Sequence, residues 1–131
     1  DWGKDDFTKI PNGCAGVENL YPYMLDAANS GKITFERAVE LCSTNVAKIF
    51  GCDNKGAIAV GKDADIVIYD KDKDFTISVN NMHSDYDHTT WEGKKLHGYP
   101  VQTYLRGKLV YDNGDFVGTP GMGDYVKRSH R

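Results

Sequence analysis

Gly56-Ala57-Ile58-Ala59-Val60-Gly61-Lys62-Asp63-Ala64-Asp65-Ile66-Val67-Ile68-Tyr69-Asp70 is the stretch from which the rest of the chain can be read. It joins a glycine turn, an Asp-Ala-Asp step and an apolar run. Residues 66–69 are apolar without alternation, the pattern of a strand covered on both faces. Short carboxylates before such a run suit a turn that feeds it. Asp63, Asp65 and Asp70 also invite an acid–base reading. Carboxylates at strand ends are commonly just solvated, so the structural reading is preferred.

The residues that follow stay β-like. Phe75, Ile77 and Val79 alternate with Thr76 and Ser78, as in a strand with one buried face. Val101, Thr103 and Leu105 alternate likewise. Gly107-Lys108 reads as a two-residue turn with glycine in its first central position, and residues 109–112 as the return strand. Asn113-Gly114 is a type I′ hairpin signal leading to Phe116-Val117, which makes a three-strand meander. Residues 119–131 hold turn formers (Pro120, Gly121, Gly123) and a basic end, and read as a tail suited to contacting a neighbouring subunit.

Toward the N-terminus the apolar spacing is helical. Val17, Leu20, Tyr21, Met24 and Ala28 mark one face of a helix over 17–29. Pro22 is tolerable there near the first turn, and Ser30-Gly31 ends the helix. Thr34 is a good N-cap for a second helix with Phe35, Ala38, Val39 and Cys42 on one face. Ser43 or Thr44 caps a third, carrying Val46, Ile49 and Phe50, which Gly51 stops. Residues 1–16 are loop-like.

Length and composition narrow the classes. At 131 residues the chain is one domain or part of one, short of the roughly 250 residues of an α/β barrel. A net charge of −3 gives no footprint for nucleic acid, and no apolar run is long enough to span a bilayer. There is no signal peptide and no initial Met, so Asp1 reads as a cut point. Three widely spaced cysteines argue against a disulfide framework and fit a reducing, cytoplasmic setting. Cys42, on an apolar helical face, reads as a buried small hydrophobe.

Two segments carry chemistry-bearing residues. The first, Ile10-Pro11-Asn12-Gly13-Cys14-Ala15-Gly16-Val17-Glu18, is a rigid bend with two glycines at the mouth of a helix. Such a bend can present bare N–H and C=O groups, the pair that a cyclic amide or imide needs, and the helix N-terminus favours negative charge. An ordinary loop and cap would use the same residues. The second, His83-Ser84-Asp85-Tyr86-Asp87-His88, holds metal-ligand types without a fixed scaffold spacing. A solvated loop explains it more simply. His97 and His130 read as surface residues.

The order of these motifs resembles one family. Gly56 to Asp70 is similar to the closing β-segment of the amidohydrolase superfamily. Asp5-Asp6-Phe7-Thr8-Lys9-Ile10-Pro11-Asn12-Gly13 with Gly16-Val17-Glu18 resembles the segment after the last barrel strand of dihydropyrimidinases and D-hydantoinases. Thr44-Asn45-Val46-Ala47-Lys48-Ile49-Phe50-Gly51, Trp91-Glu92-Gly93, Gly98-Tyr99-Pro100-Val101, Arg106-Gly107-Lys108 and Phe116-Val117-Gly118 match later steps in order. Two loops depart: residues 51–56 are shorter and lack the usual proline, and Asp87-His88-Thr89-Thr90 replaces a frequent Asn-Pro-Phe step.

The resemblance implies an α/β parent, a TIM-barrel metallohydrolase. Residues 1–52 would then be the end of the (β/α)₈ barrel, 53–118 a mainly antiparallel β-sandwich segment and 119–131 the tail. It implies hydrolysis of a small cyclic amide, a hydantoin or dihydropyrimidine ring, by two divalent metal ions, usually zinc. The metal ligands would all precede Asp1, so this chain would hold no metal and no catalytic residue. Asn12 would bind substrate through its main chain, with Gly13 beside it. The parent would be a cytoplasmic homo-oligomer, a dimer or tetramer, with no nucleic-acid or membrane partner. Collapsin response mediator proteins, relatives that lack the metal ligands and act in assembly, are the alternative.

Overall fold

The computed structural model describes residues 3–10, 13 and 16–129. Helix α1 spans Val17–Asn29, α2 spans Phe35–Val39 and α3 spans Asn45–Phe50. Strands β1 (Ile66–Thr76), β2 (Lys95–Leu105), β3 (Lys108–Asp112) and β4 (Asp115–Phe116) form one antiparallel sheet in sequence order.

The extent of α1 is as expected, and its buried face is so in part: Ala28 is buried and Tyr21 and Met24 pack against the core, but the helix is turned from the expected face. Asn19, Pro22, Leu25 and Ala28 are buried, while Val17 is 97% and Leu20 59% exposed. Polar anchors at the far end of the helix set this rotation. The Asp26 carboxylate accepts the His97 N–H at 2.8 Å. The Asn29 amide donates to the carbonyls of Lys71 and His97, both at 2.8 Å. Pro22 lies in the second turn rather than near the first, and the helix runs through it, leaving the Glu18 carbonyl without its usual i+4 donor.

Thr34 caps α2, its hydroxyl accepting the Arg37 N–H at 3.1 Å. The expected new cap at Ser43 or Thr44 does not form. The backbone instead continues through a π-helical turn, Glu40–Thr44, directly into α3. Thr44 stays right-handed helical (φ −62°, ψ −48°), whereas an N-cap adopts extended dihedrals. Its hydroxyl donates to the Gly56 carbonyl at 2.8 Å, which ties the helix to the loop before β1. Cys42 falls in this π turn and is only half-buried, not the core residue its spacing suggested. Gly51 ends α3 in the left-handed region at φ 64°.

The segment expected as a strand at 66–69 runs on to Thr76 as one long β1, which takes in only the first two residues of the separate strand expected at 75–79. It pairs with β2 from Ile66 opposite Tyr104 to Thr76 opposite Lys95, and an irregularity between Asp70 and Asp74 absorbs the charged run. Val79 lies beyond it in a 3₁₀ turn, Val79–Asn81, capped by the Ser78 hydroxyl. Ile68 is 44% exposed, so within this chain residues 66–69 are not covered on both faces.

The β2–β3 turn is centred on Arg106 and Gly107 (φ 48° and 76°), one residue earlier than the spacing indicated. Positive φ at both central residues is the type I′ condition. The register is pinned from below. Asp65 Oδ1 accepts the Arg106 N–H at 2.9 Å, and the Gly107 N–H donates to the Ala64 carbonyl at 2.9 Å. Asn113-Gly114 forms the second turn as expected, with φ 49° and 114°.

The core is two small clusters. Leu25, Ala28 and Ala38 gather Tyr21, Met24, Ile33 and Tyr69 between the helices and the sheet. Ile77, Leu96 and Tyr99 gather Phe75, Met82 and Trp91, and the Phe75 and Tyr99 rings stack with centroids 3.8 Å apart. Much apolar surface stays outside them: Val60, Ile58, Phe7 and Ile49 are all largely exposed. The tail turns back on its own chain. The Ser129 N–H donates to the Gly51 carbonyl at 2.8 Å, and the Arg106 guanidinium pairs with Asp124 at 3.2 Å.

Candidate functional site

Gly16 is the N-cap of α1 and has no side chain with which to satisfy the first-turn N–H groups. Asn19 and Leu20 both donate to the Gly16 carbonyl, at 3.1 and 3.0 Å. Gly13 has φ 80°, the conformation a bend of this kind requires. Asn12, the main-chain binding residue implied by resemblance, lies outside the described residues, as does His130.

A groove of about 740 Å³ opens between the start of α1 and one face of the sheet. Val17, Tyr21, Val67, Tyr99, Tyr111 and Phe116 give it an apolar lining, and His83 stands at its edge. Burial pushes the Tyr99 phenol far above its ordinary value, and the neighbouring Tyr111 and Glu18 add to this. Tyr111 is raised for the same first reason. Both phenols are therefore neutral donors throughout the physiological range.

The His83–His88 segment does not close into a metal site. The His83 ring faces Glu18 at 2.8 Å and the Gly114 carbonyl at 2.9 Å. His88 is exposed and meets only its neighbour Asp87, at 2.7 Å. Among the described residues no three His, Cys, Asp or Glu side chains gather as a metal ion requires. The described part of this chain therefore does not fit a metal centre. His97 lies on the surface against Asp74 at 2.7 Å.

The carboxylates of the Asp-Ala-Asp step are engaged in holding the fold. Lys55 Nζ bridges Asp63 at 2.9 Å and Asp65, and Asp70 accepts the Asp72 N–H at 3.0 Å. Burial would raise the Asp65 carboxyl, but Lys55 and the Arg106 N–H outweigh it and hold it below the usual range. A depressed carboxyl stabilises above its unfolded value and loses that contribution as pH falls through the folded value. Asp65→Ala is thus expected to destabilise by about 1–2 kcal/mol at neutral pH, by freeing the Arg106 N–H and halving the Lys55 bridge. The difference from wild type should shrink below about pH 4. Denaturant midpoints measured across that range would refute this if the gap were pH-independent.

Sequence spacing missed the Glu18–His83 pair, whose members are 65 residues apart. The signals available were weak: an acidic residue in a first helical turn, and a histidine in a His/Asp-rich segment.

The profile of the Amidohydrolase family matches residues 25–111. The chain belongs to the amidohydrolase family. It is 43% identical to the D-hydantoinase of Ralstonia pickettii over 129 residues, which is 98% of this chain and 28% of that protein. It is 46% identical to the dihydropyrimidinase of Rattus norvegicus over 128 residues, 96% of this chain and 25% of that one. A solved D-hydantoinase structure superposes with a TM-score of 0.90 at 43% identity, covering 98% of this chain and 28% of that one. The chain thus spans about a quarter of the length of these relatives. Family membership implies metal dependence for an intact enzyme of this kind.

Proposed function

We propose that this chain is the C-terminal part of a metal-dependent hydrolase that opens cyclic amides, hydantoin or dihydropyrimidine rings. One observation carries the reading: the match to D-hydantoinase over 98% of the chain at 43% identity. The relatives bear hydrolase names, which favours hydrolysis over a non-catalytic role in assembly. Residues 1–52 then complete a (β/α)₈ barrel, and 53–118 supply strands to a β-sandwich. The exposed apolar side chains of both parts support this, since each face then has a partner.

The chemistry is supplied by two divalent ions, zinc by the family's habit, held by residues outside this chain. What this chain adds is the bend before α1. Asn12 presents main-chain N–H and C=O to the ring amide, Gly13 allows close approach, and the uncapped helix N-terminus favours negative charge. The parent works as a dimer or tetramer in the cytoplasm.

The expected result is turnover of hydantoin or dihydrouracil by the intact protein, abolished by a chelator and restored by zinc, with none from the isolated 131-residue chain. Turnover by the isolated chain would refute the division of labour. Failure of the metal-loaded intact protein on both rings would refute the activity.

A further inference from the structure

Three hydrogen bonds converge on His83. Its backbone N–H donates to Glu18 Oε2 at 2.9 Å, its Nδ1 meets Glu18 Oε1 at 2.8 Å, and its Nε2 meets the Gly114 carbonyl at 2.9 Å. A carboxylate and a backbone carbonyl offer lone pairs only. Neutral imidazole carries one N–H, so it would turn its other nitrogen's lone pair against an acceptor. The imidazolium alone donates at both contacts. One side chain therefore joins the first turn of α1, the segment after Met82 and the tip of the β3–β4 hairpin.

The surroundings agree with a cation. The Tyr111 ring presents at 5.7 Å and 84° to the imidazole, and Asp115 lies close enough to add negative charge. The ring is held above its ordinary value first by the Glu18 carboxylate and then by the Gly114 carbonyl, against burial. Tyr99 and Tyr111, which face the pair from β2 and β3, stay neutral because burial raises both.

We infer that His83, as an imidazolium, is a positioning residue that locks the first turn of α1 and with it Gly16, whose carbonyl that turn holds. Both oxygens of Glu18 are spent on His83, so the helix start cannot rotate without breaking these contacts. The catalytic consequence rests on the proposed function; the mechanical one does not. For a raised histidine the contribution is complete below the ordinary value, about 6.5, and is lost as pH rises through the raised one.

The test uses the intact protein and its His83→Ala and His83→Arg variants. Protection of the Asn19 and Leu20 amides from hydrogen exchange is read at about pH 6 and about pH 9, on either side of the histidine range. Wild type should lose about tenfold in protection factor at the higher pH, the scale of a lost charged hydrogen bond. His83→Ala should be low at both, and His83→Arg, a permanent cation with several donors, high at both. On hydantoin, His83→Ala should raise KM about tenfold while kcat moves less than twofold, and His83→Arg should restore KM. Equal protection in wild type and His83→Ala at the lower pH would overturn the inference, whatever the activity. Lowered protection with unchanged KM would overturn the positioning role. Absence of any cyclic-amide turnover in wild type would count against the functional reading alone, and the protection factors would still decide the inference.

Discussion

Gly98→Ala is expected to destabilise the fold by roughly 3 kcal/mol, from overpacking and backbone strain together. Gly98 sits in β2 at φ 93°, a region that side chains rarely adopt. An added Cβ would stand 1.8 Å from the Tyr69 hydroxyl and 2.4 Å from Cζ. That ring cannot simply swing away. Its hydroxyl lies 3.4 Å from the carbonyls of both Leu25 and His97, and its edge meets Phe35 at 5.8 Å. Making room means drawing Tyr69 out of the cluster around Leu25, Ala28 and Ala38. Equilibrium denaturant unfolding should show a lowered midpoint at unchanged slope. Combining the change with Tyr69→Leu should recover part of the loss, since the two sites are in contact. A midpoint like that of wild type for Gly98→Ala would show that β2 and Tyr69 do not meet as described.

The second large effect is expected at Asn29. Both contacts of its amide nitrogen are backbone carbonyls, of Lys71 and His97 at 2.8 Å each, so donors are needed there. Asn29→Asp keeps the shape and removes the donors. Two carbonyls would lose their partner and face a carboxylate, and Asp26 already places a negative charge on the neighbouring His97 N–H. The cost should be about 2–3 kcal/mol at neutral pH, more than Asn29→Ala, which only leaves the carbonyls unsatisfied. The introduced carboxyl should have a raised pKa, because its charged form is the one disfavoured. Its penalty is present above that raised value and relieved as pH falls through it, when a protonated oxygen can donate once. Asn29→Asp should therefore regain stability toward wild type in acid. Unfolding free energies for Asn29→Asp and Asn29→Ala that are equal at neutral pH and flat with pH would contradict this.

Both effects lie where α1 meets the sheet, and this junction was the least legible in the sequence. The extent of α1 was readable, since its apolar period and the Ser30-Gly31 stop are local signals. Its rotation was readable only in part, since Tyr21, Met24 and Ala28 reach the core while Val17 and Leu20 do not. Asp26 and Asn29 fall outside the apolar face of the helical pattern, and only their partners on β1 and β2 make them anchors. The π turn at Glu40–Thr44 was likewise hidden, because Ser43 and Thr44 look like a cap until the Gly56 carbonyl claims the Thr44 hydroxyl.

The candidate site divides in the same way. The Pro11-Asn12-Gly13 step and the ordered motifs around it are visible as strings in the sequence and carry the resemblance to the family. The histidine segment was visible too, and it read more simply as a solvated loop than as a metal site. The fold sends His83 to Glu18 and leaves His88 at the surface. No spacing rule connects residues so far apart.

By itself the sequence determined the elements whose cause is local: the helix at Val17–Asn29, the Thr34 cap, the Gly51 stop, the Asn113-Gly114 turn and the family to which the chain belongs. Each depends on dihedral preferences or on neighbours a few residues away. The tertiary structure alone decided that α1 turns to bury Asn19, Pro22 and Leu25, that β1 is one strand, that the β2–β3 turn sits at Arg106-Gly107, and that His83 is tied at both nitrogens. Those outcomes depend on which polar groups meet when distant segments pack, and a buried or half-buried donor is satisfied by whatever acceptor the fold brings to it.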